Sequence, residues 1–270
     1  METVRLLLQN VGRYVEKVDL SGSGEPFMFD DIVEIIERCK RYGIMVTAAT
    51  NCHFFTNPDF CRAVIRSGID EIVGAIDGVT QESLKSFRGE KADLERVISG
   101  TRQLVEERNR LKSRRPLLNM LFVVNRFNEP DIEKALELAG EIGCDSLVPK
   151  YVGIDLMERE QERFLPEDLS RTRYERKPDG TIGLKGEIQD KCATMYMNPM
   201  ITWNGDVLPC CYDFHGDSVM GNVNEENFSS IWKSDRFARF REKVNSSRRT
   251  IDICSVNCPE GRISLTMKKR

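Results

Sequence analysis

Histidine is scarce in this chain: only His53 and His215 occur, which excludes a site built on several imidazoles. No stretch approaches the roughly 18 continuous apolar residues a membrane-crossing helix needs, so no transmembrane helix and no membrane partner are expected. The opening Met-Glu-Thr-Val-Arg lacks the basic and apolar regions of a signal peptide. Forty basic residues stand against 43 acidic ones, a net charge of −3, and such a balance gives no reason to expect nucleic-acid binding. The basic end at 267–270 is too short to change that. Cysteine is plentiful by contrast, with nine residues, an odd number that does not suit a disulfide framework. Cys39, Cys52, Cys61 and Cys144 are scattered through apparent helix and strand, as in a protein of the reducing cytoplasm.

Apolar patterning gives the first half of the chain its organisation. A helix is predicted over 3–14. Short apolar strands are predicted at Val15–Leu20, Ile44–Thr50, Ile69–Ile76, Leu117–Val124 and Cys144–Lys150, with helices between them. Asp30 or Asp31 is expected to cap the helix carrying Ile32, Ile35, Ile36 and Cys39. Alternating strands and helices with nearly continuous apolar strands argue for an α/β fold. Its parallel sheet would be buried on both faces, as a barrel or part-barrel rather than an open doubly wound sheet. In either arrangement, functional residues belong just beyond the C-terminal strand ends. From 153 to 188 the chain turns charge-rich and reads as a connector. Beyond it, Met200–Trp203 and Val207–Pro209 flank Asn204-Gly205, a strand–turn–strand signal, and Ser229–Val244 reads as one amphipathic helix.

Two stretches could carry chemistry. Gly22-Ser-Gly24-Glu25-Pro26 follows the first strand. Glycines let backbone approach a ligand there, Pro26 stiffens the exit, and Glu25 with backbone carbonyls could receive an ammonium group. By itself the stretch reads first as an ordinary strand-to-helix turn. It is not a phosphate-binding loop, because no Gly-Lys-Ser/Thr follows. The second stretch is richer: five of the nine cysteines fall between 192 and 258. Cys192 and Cys210 have 17 residues between them, and Cys254 and Cys258 have three. Four thiolates suffice for a closed site holding zinc or an iron–sulfur cluster. Cys211 would point away from Cys210 on an extended segment and is read as a spare.

Taken together, these stretches resemble the radical S-adenosylmethionine (radical SAM) superfamily with a C-terminal SPASM or twitch auxiliary-cluster domain. The resemblance rests on Leu20-Ser-Gly-Ser-Gly-Glu-Pro26, Ala75-Ile-Asp77-Gly78 and Phe87-Arg88-Gly89. In the C-terminal part it rests on Cys192…Gly205…Cys210-Cys211, Gly221-Asn222-Val223, Ile231-Trp232-Lys233-Ser234 and Cys254…Cys258. It implies a partial (β/α)6 TIM-like barrel over 1–152, the connector at 153–188, and an iron–sulfur domain over 189–270. It further implies that Gly24, Glu25 and Pro26 hold the amino group of SAM, with Asn51, Asp77 and Arg88 lining the SAM or substrate pocket. Ala75 stands where many relatives carry a serine, which removes one polar contact. Cys192, Cys210, Cys254 and Cys258 would ligate an auxiliary 4Fe–4S cluster. The implied activity is that of an oxidoreductase or maturase. SAM would be cleaved to a 5′-deoxyadenosyl radical, which takes hydrogen from a peptide or small-molecule substrate, and the auxiliary cluster would accept an electron. Flavodoxin or ferredoxin is the implied electron donor.

One departure bears on this expectation. Family members carry Cys-x-x-x-Cys-x-x-Cys after the first barrel strand, holding the cluster that reduces SAM. No such motif occurs here, and Cys39, Cys52 and Cys61 have the wrong spacing. The chain is therefore read as truncated at its start and expected not to cleave SAM as written. The rival readings are a non-catalytic cluster- or peptide-binding relative and a zinc-stabilised α/β protein.

Overall fold

The computed structural model describes residues 1–22 and 24–263. Ser23 of the glycine turn and the basic end at 267–270 lie outside the described residues. The chain divides into two units. The first is Met1 with Gly12–Val152, and the second is Glu2–Val11 with the chain from Gly153 onward.

By its contacts, the helix α1 (Glu2–Val11) groups with the second unit, although it stands at the start of the chain. Its hydrogen bonds show why: Thr3 donates to Asn224 at 2.8 Å and Asn10 to Asn227 at 2.7 Å. In the first unit, strands β1 (Lys17–Leu20), β2 (Met45–Thr50), β3 (Glu71–Ala75), β4 (Leu117–Val124) and β5 (Ser146–Tyr151) form one sheet in sequence order. Every neighbouring pair is parallel. Helices α2 (Ile32–Arg41), α3 (Pro58–Arg66), α4 (Gln81–Arg88), α5 (Leu94–Arg110) and α6 (Ile132–Ile142) occupy the crossovers. Right-handed crossovers between consecutive strands place every helix on one side. This is the winding of a barrel wall, not of a doubly wound sheet.

That winding also corrects the expectation of a sheet buried on both faces. Along β4, Leu118, Met120, Phe122 and Val124 are buried while the residues between them are only partly so, and β5 has no buried residue. Helices cover a single face, so the burial alternates. The cap expected of Asp31 is also missing: it occupies the N-cap of α2, but its side chain makes no capping bond. Asn57 and Thr80 do cap α3 and α4 through their side chains.

The second unit is built from short pieces. Strands β6 (Tyr174–Arg176) and β7 (Ile182–Leu184) form a hairpin within the segment read as a connector, and β8 (Glu187–Ile188) follows. After the single turn of α7 (Thr194–Met197), β9 (Met200–Ile201) and β10 (Asp206–Leu208) pair as expected around Asn204-Gly205. A strand not foreseen, β11 (Gly221–Asn222), adds to the other edge of β10. The helix expected over 229–244 is two, α8 (Phe228–Lys233) and α9 (Asp235–Ser247). Ser234 is extended there and accepts a hydrogen bond from Phe237 N–H at 3.2 Å, so it caps a new helix rather than continuing the old one. Strand β12 (Arg262–Ile263) returns to pair with β8.

One close approach fixes the first unit. Cys52, just past β2, is fully buried in the left-handed region at φ 63°, and it turns its carbonyl toward α5. A Cβ on Gly100 would lie 2.2 Å from that oxygen. In an ordinary helix interior, Gly→Ala stabilises by about 1 kcal/mol. Here Gly100→Ala should instead cost roughly 1–3 kcal/mol, read from urea unfolding. A stabilised variant would show that the approach is not tight.

Candidate functional site

At the C-terminal strand ends, the glycine turn leads from β1 to Glu25. Gly24 sits at φ 130° with open space around it, so its backbone conformation rather than crowding calls for glycine. Pro26 then starts a helical turn that drops Phe27 into the core, edge-on to Phe55 at 4.8 Å between ring centres. The Glu25 carboxylate is thereby aimed at the end of β2. One oxygen accepts from the Thr50 hydroxyl at 2.8 Å and from Phe27 N–H at 3.3 Å. The other accepts from Asn51 N–H at 2.7 Å. A carboxylate offers about four acceptor positions, and three are used among the described residues. Asn51 meets Glu25 through its backbone, while its side-chain oxygen accepts from His53 N–H at 2.9 Å. His53 lies beside Phe27, Phe54, Phe60 and Arg96 in an open cleft of about 430 Å³.

Asp77 and Arg88 meet each other. Arg88 donates through Nε to Asp77 Oδ2 at 2.6 Å, and Val123 N–H donates to Oδ1 at 2.8 Å. Asn128 binds the Asp77 carbonyl at 2.8 Å. Burial pushes the Asp77 carboxyl above the ordinary range, with the Arg88 guanidinium and Val123 N–H pulling it back. Buried Asp77, paired with the exposed Arg88, ties the exit of β3 to β4 and α4 and acts as a strut of the strand-end region. Cys39, Cys52 and Cys61 are buried apart from this turn on α2, after β2 and on α3. Burial raises their thiols to about 11, 12 and 12, the condition of inert core thiols.

In the second unit, the four paired cysteines come together. Cys210 follows β10, Cys192 precedes α7, Cys254 rides on a wide helical turn at Ile253–Asn257, and Cys258 ends that turn. Met195, Val244, Ile251 and Ile253 form an apolar wall around Cys210 and Cys254, and Cys192 packs against it. Burial pushes Cys210 up to about 12 and Cys258 up to about 11, and raises Cys254 as well. Neighbouring thiols add to these rises: Cys211, Cys254 and Cys258 act on Cys210, and Cys192 acts on Cys254 and Cys258. Cys211 is exposed, off this wall. The loop after it is closed by Asp213, which accepts from Asp217 and Ser218 N–H, both at 2.9 Å.

Residues not singled out from the sequence complete this site. Arg248 is fully buried and donates to Cys258 Sγ at 3.2 Å and to the Lys191 carbonyl at 2.8 Å. Arg262 donates to the Cys258 carbonyl at 3.0 Å. Asn257, between Cys254 and Cys258, donates to Asp155 at 2.8 Å and accepts from Leu156 N–H at 2.9 Å. His215 binds the other Asp155 oxygen at 3.0 Å. Burial alone would raise the Asp155 carboxyl, but Met157 N–H, Asn257 and His215 outweigh it and hold it below the ordinary range. Asp155 thus anchors the turn that presents both C-terminal cysteines.

Comparison with known proteins places this geometry. Residues 2–139 match the radical SAM superfamily model, and residues 192–259 match SPASM, an iron–sulfur cluster-binding domain. The chain belongs to the radical SAM superfamily. A radical SAM relative, the S-adenosyl-L-methionine-dependent 2-deoxy-scyllo-inosamine dehydrogenase of Niallia circulans, is 42% identical over 22% of this chain and 24% of its own. A probable GTP 3′,8-cyclase of Saccharolobus solfataricus is 28% identical over 53% of this chain and 44% of its own. The chain thus spans a quarter to less than half of the curated relatives it matches. Among solved structures, Streptococcus suis SuiB bound to S-adenosylmethionine has a TM-score of 0.63 at 16% identity. It covers 100% of this chain and 67% of that one. anSMEcpe with bound AdoMet and Kp18Cys peptide gives 0.58 at 13%, covering 97% and 80%. BtrN in complex with AdoMet and 2-DOIA gives 0.52 at 17%, covering 96% and 82%. These likenesses establish the radical SAM fold followed by a SPASM domain.

The Asp155 anchor makes a pH-dependent prediction. Its folded pKa lies below the unfolded value of about 3.9. Its stabilisation is therefore complete above that pH and lost as pH falls through the folded value. Asp155→Asn should cost about 1–2 kcal/mol at neutral pH and flatten the acid limb of stability. Urea melts of both proteins from pH 7 to below 4 measure this, and parallel acid limbs would refute it.

Proposed function

We propose that this chain forms the SAM-holding strand ends and the auxiliary cluster domain of a radical SAM oxidoreductase or maturase. The observation that carries this reading is that Cys192, Cys210 and Cys254 share one apolar wall and Cys258 meets the buried Arg248 guanidinium, inside a segment matching SPASM. Cys192, Cys210, Cys254 and Cys258 would hold an auxiliary 4Fe–4S cluster, a donor set this cofactor uses. Four protein ligands leave no open iron, which suits electron transfer rather than substrate binding. Gly24, Glu25 and Pro26 would receive the amino group of SAM, Glu25 through its remaining acceptor position and the glycine turn through its carbonyls. Asn51 would hold Glu25 in place through its N–H. Asp77 and Arg88 would shape the pocket by locking the strand ends, and the exposed side of Arg88 would line it. When bound, SAM supplies a radical hydrogen abstractor and the auxiliary cluster takes up an electron.

Substrates of two kinds fit this reading. One similar protein is named for a small amino-alcohol and another is solved with a peptide, so a peptide or small alcohol-like molecule is proposed, with flavodoxin or ferredoxin as donor. No Cys-x-x-x-Cys-x-x-Cys occurs among these 270 residues, so the chain alone should not cleave SAM.

Anaerobic reconstitution tests the proposal. About four irons with matching sulfide per chain are expected, lost in Cys192→Ala and Cys254→Ala and kept in Cys211→Ala. Zinc bound without sulfide would replace the cluster reading with a structural zinc site. With dithionite and SAM, the reconstituted chain should release no 5′-deoxyadenosine by chromatography. Its appearance would refute the proposed inactivity.

A further inference from the structure

Arg248 presents an imbalance that the fold alone does not explain. Its side chain is fully buried, and Nε has no hydrogen-bond partner. Its other contacts are the Lys191 carbonyl at 2.8 Å, the Gln189 carbonyl at 3.4 Å and Cys258 Sγ at 3.2 Å. Asp190, the nearest acid in sequence contact, accepts from the Arg248 backbone N–H at 2.7 Å rather than from the guanidinium. Among the described residues, the hydrogen-bond acceptors of this guanidinium are two backbone carbonyls and a cysteine sulfur, with no carboxylate. A buried cation is costly unless an anion faces it, and neutral thiols supply none. Gly261, at φ 65°, keeps room for it: a Cβ there would lie 2.9 Å from Nη1. Arg262, partly buried, is the second cation of the same wall and likewise faces Cys258 and Cys254.

We infer that Arg248 is a positioning residue for the auxiliary cluster, its fixed positive charge and free Nε–H gathering the thiolates and setting the cluster's reduction potential. The inference rests on the auxiliary-cluster reading above. Four thiolates around an oxidised 4Fe–4S core formally carry two negative charges, matched by Arg248 and Arg262. One electron added from a low-potential donor makes the charge three negative, with no bond formed or broken and no proton taken up. A buried cation beside the sulfurs favours the more negative form. Hydrogen bonds to cluster sulfur and net charge are established determinants of iron–sulfur potentials.

The test compares the full chain with Arg248→Lys, which keeps the charge, and Arg248→Gln, which removes it. All three are reconstituted anaerobically, assayed for iron and sulfide, checked for folding by circular dichroism, and titrated with dithionite against mediators by EPR. Arg248→Gln is expected to lower the equilibrium constant for reduction at least about tenfold, which is about 59 mV for a one-electron couple. Arg248→Lys should stay close to the parent. Loss of loading in a folded Arg248→Gln with loading kept in Arg248→Lys also supports the role, since charge then decides whether the thiolates assemble. An unchanged potential in loaded Arg248→Gln overturns it. So does melting of both variants while the parent loads, which would make Arg248 a structural prop. If the parent chain itself takes up no iron and sulfide, the auxiliary-cluster reading fails, and the role assigned to Arg248 is overturned with it.

Discussion

Burying a guanidinium without a carboxylate beside it is among the more expensive things a small domain can do, and the C-terminal unit is arranged around having done so. The backbone of Lys191, just before Cys192, accepts from Arg248, and Cys258 offers its sulfur. The stretches bearing Cys192 and Cys258 are thus drawn to the same side chain. Gly261 leaves the space and β12, pairing with β8, closes the end of the loop. Remove the positive charge and the four thiols are an apolar, protonated cluster. Supply an anionic group between them and the same residues become a balanced site. The raised thiol pKa values express one side of that choice and the orphaned Nε–H the other.

The strand-end region of the first unit follows a different logic. Its carboxylate is organised by backbone: Glu25 is held by Asn51 N–H and Phe27 N–H as well as the Thr50 hydroxyl. The hold depends on Phe27 being pinned in an aromatic cluster and on β2 ending where it does. The left-handed turn at Cys52 against Gly100 sets that end. Residues remote from any ligand therefore decide where the Glu25 oxygens lie.

Much of this was legible in the sequence, and the reasons are specific. The five strands are short apolar runs punctuated by glycines such as Gly43 and Gly68, both at positive φ, so local chemistry marks their limits. The four cysteines were legible by spacing, and the turn at Gly24 by its position after a strand. What escaped were contacts joining residues far apart, such as Asp155 to Asn257. Arg248 and Arg249 look alike as an adjacent basic pair, yet the first is buried and the second exposed. One signal was available. Phe237, Val244 and Arg248 continue one helical stripe, which places Arg248 rather than Arg249 on the apolar side. The break at Ser234 was hidden for the opposite reason. Ile231, Trp232 and Phe237 keep apolar character across it, while the serine hydroxyl and the change of backbone angle that end the helix leave no gap in the pattern.

The two regions differ in what they ask of the rest of a radical SAM enzyme. Every element of the cysteine site, from its four sulfurs to its two cations, its apolar wall and the Asp155 anchor, comes from residues 155–262. On the proposed reading, the thiolates and the compensating charge both come from these residues. The strand-end turn supplies one acceptor position and a few backbone carbonyls, enough to orient an amino group but not to break a sulfonium bond. Cleaving that bond needs a reduced cluster held against the sulfur, and the three-thiolate motif that holds it is not among these residues. On the proposed division of labour, electron storage and radical generation use separate donor sets, and the four cysteines of this chain would serve the first.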